Sequence, residues 1–188
     1  MFTSRRLLSL VAVVPILLAA CSQPSPPARR PVEPPAASGP ASTATSAAQD
    51  AVRVQFVGFA GGPGFALPDD LGGRPLVMNV WASWCTPCRK EMPAFQSVYT
   101  QARGRVGFLG VDYLDEEGAA RRLVADTGVT YRLAADPKGA QVTKFGVSAL
   151  PTTLFFSADG VLRGRRFGQL DADSLRDAIR RYLGLELP

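Results

Sequence analysis

Cys85 and Cys88, separated by Thr86 and Pro87 and preceded by Trp84, are the residues of this chain best suited to chemistry. Two thiols three positions apart in a first helical turn lie about 5–6 Å from one another, within reach of a disulfide. The thiol at the helix mouth faces unpaired N–H groups and the positive end of the helix dipole. Both favour thiolate, the form that attacks disulfides. Pro87 suits such a turn, having no N–H to lose and a preset φ. Cys85 is therefore expected to be the exposed nucleophile and Cys88, one turn inward, the resolving thiol.

Other uses of the pair fit less well. A structural disulfide closing so short a loop would stabilise the fold little. Half a zinc site lacks its remaining ligands, because the chain has three cysteines and no histidine. A thiol peroxidase would place Thr or Ser three residues before its cysteine and Pro seven before. Ala82 and Met78 hold those places for Cys85, and Cys85 and Trp81 hold them for Cys88. The missing histidine also removes Ser–His–Asp and Cys–His catalysis, which leaves thiols, carboxylates, hydroxyls and lysines. The formal charge of +5 falls to +3 once Arg5 and Arg6 are set aside, too mild a balance to imply a nucleic-acid partner. No phosphate loop and no metal or cofactor motif accompanies the thiols, so the expected redox group is the Cys85–Cys88 pair itself.

The elements that must hold this pair are legible around it. Leu76–Trp81 is a near-continuous apolar run, as in a central strand covered on both faces. A helix is predicted from near Cys85 to about Ala102, with Phe95, Val98, Tyr99 and Ala102 on one face and a kink at Pro93. Upstream, Val52, Val54 and Phe56 alternate like a half-buried strand, followed by a Gly/Pro-rich passage and a turn at Asp70–Gly73. Downstream, Val106–Val111 reads as a strand, and a helix from about Glu116 ends on Gly128. Tyr131–Ala135 is a short strand, and Asp136–Pro137 is expected to cap and open a brief helix to Phe145. Thr152–Phe156 and Val161–Phe167 flank Asp159–Gly160, a hairpin signal. The last helix places Leu175, Ala178, Ile179, Tyr182 and Leu183 together. The class is α/β, a mixed central sheet with helices on both sides.

The N-terminal 50 residues read differently. Arg5 and Arg6 precede an uncharged run, Leu7–Ala20, which is shorter than the roughly 20 apolar residues a membrane span needs and suits a signal peptide over 1–20. Leu18-Ala19-Ala20-Cys21 resembles a bacterial lipobox, which implies cleavage before Cys21 and its lipidation. Residues 21–50 are rich in Pro, Ala and Ser and poor in large apolar side chains, as in a disordered tether. A folded domain is expected over 51–188.

Asn79 through Pro93, with Trp84-Cys85-Thr86-Pro87-Cys88 at its centre, closely resembles the active-site segment of extracytoplasmic thioredoxin-like proteins of the TlpA/ResA type. The similarity takes in Leu67-Pro68-Asp69, Gly73-Arg74-Pro75 and Gly146–Thr153. It implies a thioredoxin-like fold with an extra strand–helix insertion, which Val106–Ala135 can supply. It also implies that Pro151 is the family's cis-proline, presenting the Leu150 backbone to an extended substrate. Asn79 stands where cytoplasmic thioredoxins carry a buried Asp. Glu91 matches the family's Glu three residues after the second cysteine, a group expected to tune the thiols and move a proton. Its plain alternative is an exposed helical carboxylate. Trp84, Thr86, Pro87 and Leu150 are the expected substrate-binding surface, with Trp81 in the core. Arg163, Arg165 and Arg166, with Arg180 and Arg181, read as solvated faces able to attract anionic lipid.

The resulting expectation is a lipid-anchored, monomeric thiol–disulfide oxidoreductase at the extracytoplasmic face of a bacterial membrane. Its partners would be thiols and disulfides of exported proteins and a membrane electron donor or acceptor. Reduction is the expected direction, with apocytochrome c during cytochrome c maturation as a substrate the resemblance implies. A disulfide-forming oxidase of the same fold, and a binding module with a structural Cys85–Cys88 bridge, are the rival readings.

Overall fold

The structure, a computed structural model, describes residues 51–188. The expected signal peptide (1–20), Cys21 and the tether to residue 50 lie outside the described residues. Alternating burial makes β1 (Val54–Gly58), with Val54 and Phe56 inward. The Gly/Pro-rich passage then returns as β2 (Phe65–Leu67), antiparallel to β1 and too short to announce itself by periodicity. β3 (Leu76–Trp81) is buried at every residue, as its apolar run requires. It leads into α1 (Thr86–Ala102), which continues through Pro93 as one helix. β4 (Gly107–Tyr113), α2 (Glu117–Thr127) and β5 (Arg132–Asp136) follow. The chain closes with the hairpin β6 (Thr152–Phe156) and β7 (Leu162–Phe167), then α3 (Ala172–Leu183). Gly128 and Gly184 end α2 and α3 in the left-handed conformation, with φ of 66° and 67°.

The seven strands form one sheet in the order β2-β1-β5-β4-β3-β6-β7. β3, β4 and β5 run parallel through the two helical crossovers, and every other pairing is antiparallel. On one face Val77, Trp81, Phe108 and Phe155 pack with Phe95 and Val98 of α1, Leu123 of α2, and Leu175 and Ile179 of α3. On the other, Met78, Val80, Leu109, Val111, Leu154 and Phe156 pack with Phe56 and Leu67 and with Leu71, Val142 and Phe145 of two 3-10 turns. Helical cover is thus α on one side and short 3-10 on the other. The helix expected to open at Asp136–Pro137 is one of those turns, Val142–Phe145, and Asp136 itself ends β5. Its carboxylate still caps, but farther on, accepting from the backbone of Gln141 and Val142 at 2.8 and 2.9 Å. Gly139, at φ 68°, breaks the backbone before a helix can start at Pro137. Among the described residues no helix is long and apolar enough to cross a membrane. One of the two edge strands, β7, carries exposed Arg163, Arg165 and Arg166.

Candidate active site

The C-terminal end of β3 delivers Cys85 to the N-terminus of α1, where it serves as the N-cap with an extended backbone. The Cys88 backbone N–H donates to Cys85 Sγ at 3.3 Å. The two sulfurs are joined as a disulfide with Cα atoms 5.3 Å apart, and Pro87 occupies the first turn. One expectation needs correction. Cys85 is not openly exposed: it retains 5% of its surface, against none for Cys88. As N-cap its sulfur folds over the first turn and joins the core of Trp81 and Ala82, so only its outer edge meets a partner.

Around that edge the structure gathers most of the expected contact surface. Thr86 and Pro87 are exposed, and Trp84 is 61% exposed while Trp81 is fully buried. The Trp84 indole is pinned, its Nε1 donating to the Leu114 carbonyl at 3.3 Å. The Leu150–Pro151 peptide is cis, as is Leu67–Pro68. Pro151 lies one step beyond Thr152, the partner of Val80, and so at the same end of the sheet as the disulfide. Trp84, Tyr113, Val147, Ser148, Ala149 and Leu150 line a largely apolar cavity of about 250 Å³.

Beneath the pair lies a carboxyl group. Glu91, one turn after Cys88, is fully buried, which sets aside the exposed-carboxylate alternative. Asn79 Nδ2 donates to its Oε1 at 2.8 Å, and the Leu170 backbone N–H to its Oε2 at 2.9 Å. Burial pushes the Glu91 carboxyl up to about 7 against the pull of those two donors. Among the described residues Asn79 Oδ1 has no partner; a rotated amide would present that oxygen to a protonated Glu91, so Asn79 can serve either charge state. Thr153, directly across from Asn79, and Tyr131 also keep unpartnered hydroxyls on this face. The Tyr131 hydroxyl is pushed well above its ordinary range by burial and by the nearby Glu91 charge.

Sequence reasoning missed Asp112 and its neighbour Asp115. Asp112 is buried on β4, level with Trp81, and the Asp115 carboxylate takes hydrogen bonds from the backbone N–H and hydroxyl of Ser83, two residues before Cys85. The available signal was strand period: residues 108, 110 and 112 face α1, so an acid at 112 points into the core.

The AhpC/TSA family model matches residues 61–165. Over 111 residues the chain is 35% identical to the thiol:disulfide interchange protein DsbE of Pseudomonas fluorescens biotype C, covering 58% of this chain and 61% of that one. Over 107 residues it is 39% identical to a DsbE homolog of Paracoccus denitrificans, covering 55% and 58%. The chain therefore spans about three fifths of the length of these curated relatives. Among solved structures, DsbF of Mycobacterium tuberculosis superposes with a TM-score of 0.61 at 27% identity, over 70% of this chain and 93% of that one. These likenesses agree with the TlpA/ResA-type fold expected from the segment around Cys85.

Proposed function

We propose that this chain, which belongs to the AhpC/TSA family, is a thiol–disulfide oxidoreductase with Cys85 as nucleophile and Cys88 as resolving thiol. The observation that carries the reading is the Cys85–Cys88 disulfide closed across the first turn of α1, with Cys85 at the N-cap. In the reducing direction the Cys85 thiolate attacks one sulfur of a partner disulfide, and the second partner sulfur leaves as a thiolate. Cys88 then loses its proton and attacks Cys85 Sγ, which expels the first partner sulfur and closes the Cys85–Cys88 bond. Glu91, about half ionised near neutrality, is the group positioned to take the Cys88 proton and return it when the pair is reduced again. The cavity beside Trp84 and the Leu150 backbone hold an extended segment of the partner, with Pro151, Thr86 and Pro87 around the reacting sulfurs. Two electrons from a membrane donor reopen the bridge.

The working place we infer is the extracytoplasmic membrane face, through lipidation of Cys21. Exported proteins are the substrate class, with the haem-site thiols of apocytochrome c as the specific substrate the TlpA/ResA resemblance favours. Thr86–Pro87 supplies no imidazole to hold the thiolate, which favours reduction over oxidation. Insulin reduction tests the chemistry: wild type is expected to turn over and Cys85→Ser to be inert, whereas equal rates would leave only a binding module. A Cys88→Ser variant is expected to retain its partner as a mixed disulfide identifiable by mass spectrometry. Equilibration with glutathione tests the direction. A potential near that of thioredoxin, about −270 mV, supports a reductant, and one near about −120 mV reverses the reading. Cys21→Ser is expected to move the protein from the membrane to the soluble extracytoplasmic fraction.

A further inference from the structure

The loop that presents Cys85 is held from behind by an acid pair that the mechanism above does not use. Asp112 is only 6% exposed, and among the described residues its Oδ1 has no hydrogen-bond partner. Asp115, three residues along, is the neighbour whose charge and hydrogen bonding act on the Asp112 carboxyl. Two charged carboxylates so placed repel strongly where water is scarce, and a single shared proton turns the repulsion into a hydrogen bond. Asp115, unlike Asp112, is met by donors. The Ser83 N–H donates to its Oδ2, while the Ser83 hydroxyl at 2.7 Å and the Glu116 N–H at 2.8 Å donate to its Oδ1. The Trp84–Leu114 hydrogen bond adds a second tie between the same two connections, β3–α1 and β4–α2.

We propose that Asp112 and Asp115 hold one proton between them, and that neutral Asp112 is a positioning residue that keeps Asp115 clamped on Ser83 and thereby fixes the approach to Cys85. The inference deepens the redox reading and rests on it for its purpose, though not for its test. The charges acting on Asp112 are those of Asp115 and Glu117, both on its own β4–α2 side. Beside it β3 presents Trp81 and β5 presents Ala135, neither ionisable. The remaining ionisable groups near this end of the sheet are Glu91, the neighbouring pair Tyr113 and Asp136, whose carboxylate is turned to the opposite face and accepts from Gln141 and Val142, and, once reduced, the two thiols. Burial and the Asp115 charge together push the Asp112 carboxyl up to about 8. Above that pH a second negative charge splits the pair and frees the Ser83 loop.

The oxidised protein allows a clean test, because its cysteines do not titrate. Amide exchange at Ser83, whose N–H donates to Asp115, corrected for the intrinsic pH dependence, is expected to lose at least tenfold protection as pH rises through 8. Asp112→Asn keeps a donor toward Asp115 but cannot ionise, so it should retain full protection throughout. Asp112→Ala, with no donor, should be loose at every pH. Flat wild-type protection, or a loss that persists in Asp112→Asn, would overturn the proposal. Should the variants fail to fold, carboxyl carbon shifts of the wild type decide the matter: one of the two acids is expected to be neutral at pH 6.5, and finding both ionised overturns the clamp. Insulin reduction by the same preparation reads the redox assignment separately, so either idea can fail while the other stands.

Discussion

Glu91 occupies a position where a charge is costly and a proton is useful. Its two donors, Asn79 and Leu170, offset only part of the desolvation, which leaves the carboxyl close to half ionised at neutral pH. Release of substrate from the Cys85 mixed disulfide is therefore expected to accelerate through pH 7 in wild type. In Glu91→Gln the same step should be flat across that range and slower by about 10²-fold, the lower end of proton-transfer effects, as followed by stopped-flow mixing. Gln fits the site without strain, since its amide can donate to Asn79 Oδ1 while its oxygen accepts from Leu170. The position of Glu91 was legible from its spacing to Cys88. Its burial was not, because Leu170 reaches it from 79 residues away. Asp112 was hidden for a similar reason: an acid after Val111 ends an apolar run, and only the register with Trp81 shows that the strand continues through it.

The elements that position these residues were mostly written in local pattern. The buried run at Leu76–Trp81, the glycine stop at Gly128, and the Asp159–Gly160 turn of the β6–β7 hairpin each rest on a residue type that permits few alternatives. What local pattern could not supply was β2, three residues long, and the displaced turn at Val142–Phe145, set by a carboxylate reaching five and six residues forward. Close packing beneath α1 gives a prediction at this scale. A Cβ on Gly110 would sit 2.7 Å from Leu133 Cδ2, 2.9 Å from Trp81 Nε1 and 3.0 Å from Tyr131 Cε2. Gly110→Ala is thus expected to destabilise the fold by about 1–3 kcal/mol, seen as a lower denaturant midpoint at unchanged slope.

Taken whole, the domain keeps two acids protonated that an unfolded chain would release. The folded values of about 7 for Glu91 and about 8 for Asp112 lie above the ordinary 4.5 and 3.8. The stability that these bound protons bring is full below pH 4 and is lost as pH rises through 7 and then 8. Near pH 6 unfolding should release close to two protons, so urea stability should fall by roughly 2–3 kcal/mol per pH unit. The Glu91→Gln/Asp112→Asn double variant should be nearly flat there. The arginines of β7 act at this scale as well. An outermost strand offers its free N–H and C=O groups to any second sheet that approaches. A second copy pairing there in parallel register would bring Arg163, Arg165 and Arg166 against their own counterparts at about 4.8 Å strand spacing. Like charge at that distance turns the open flank of the sheet into a guard against fibril growth.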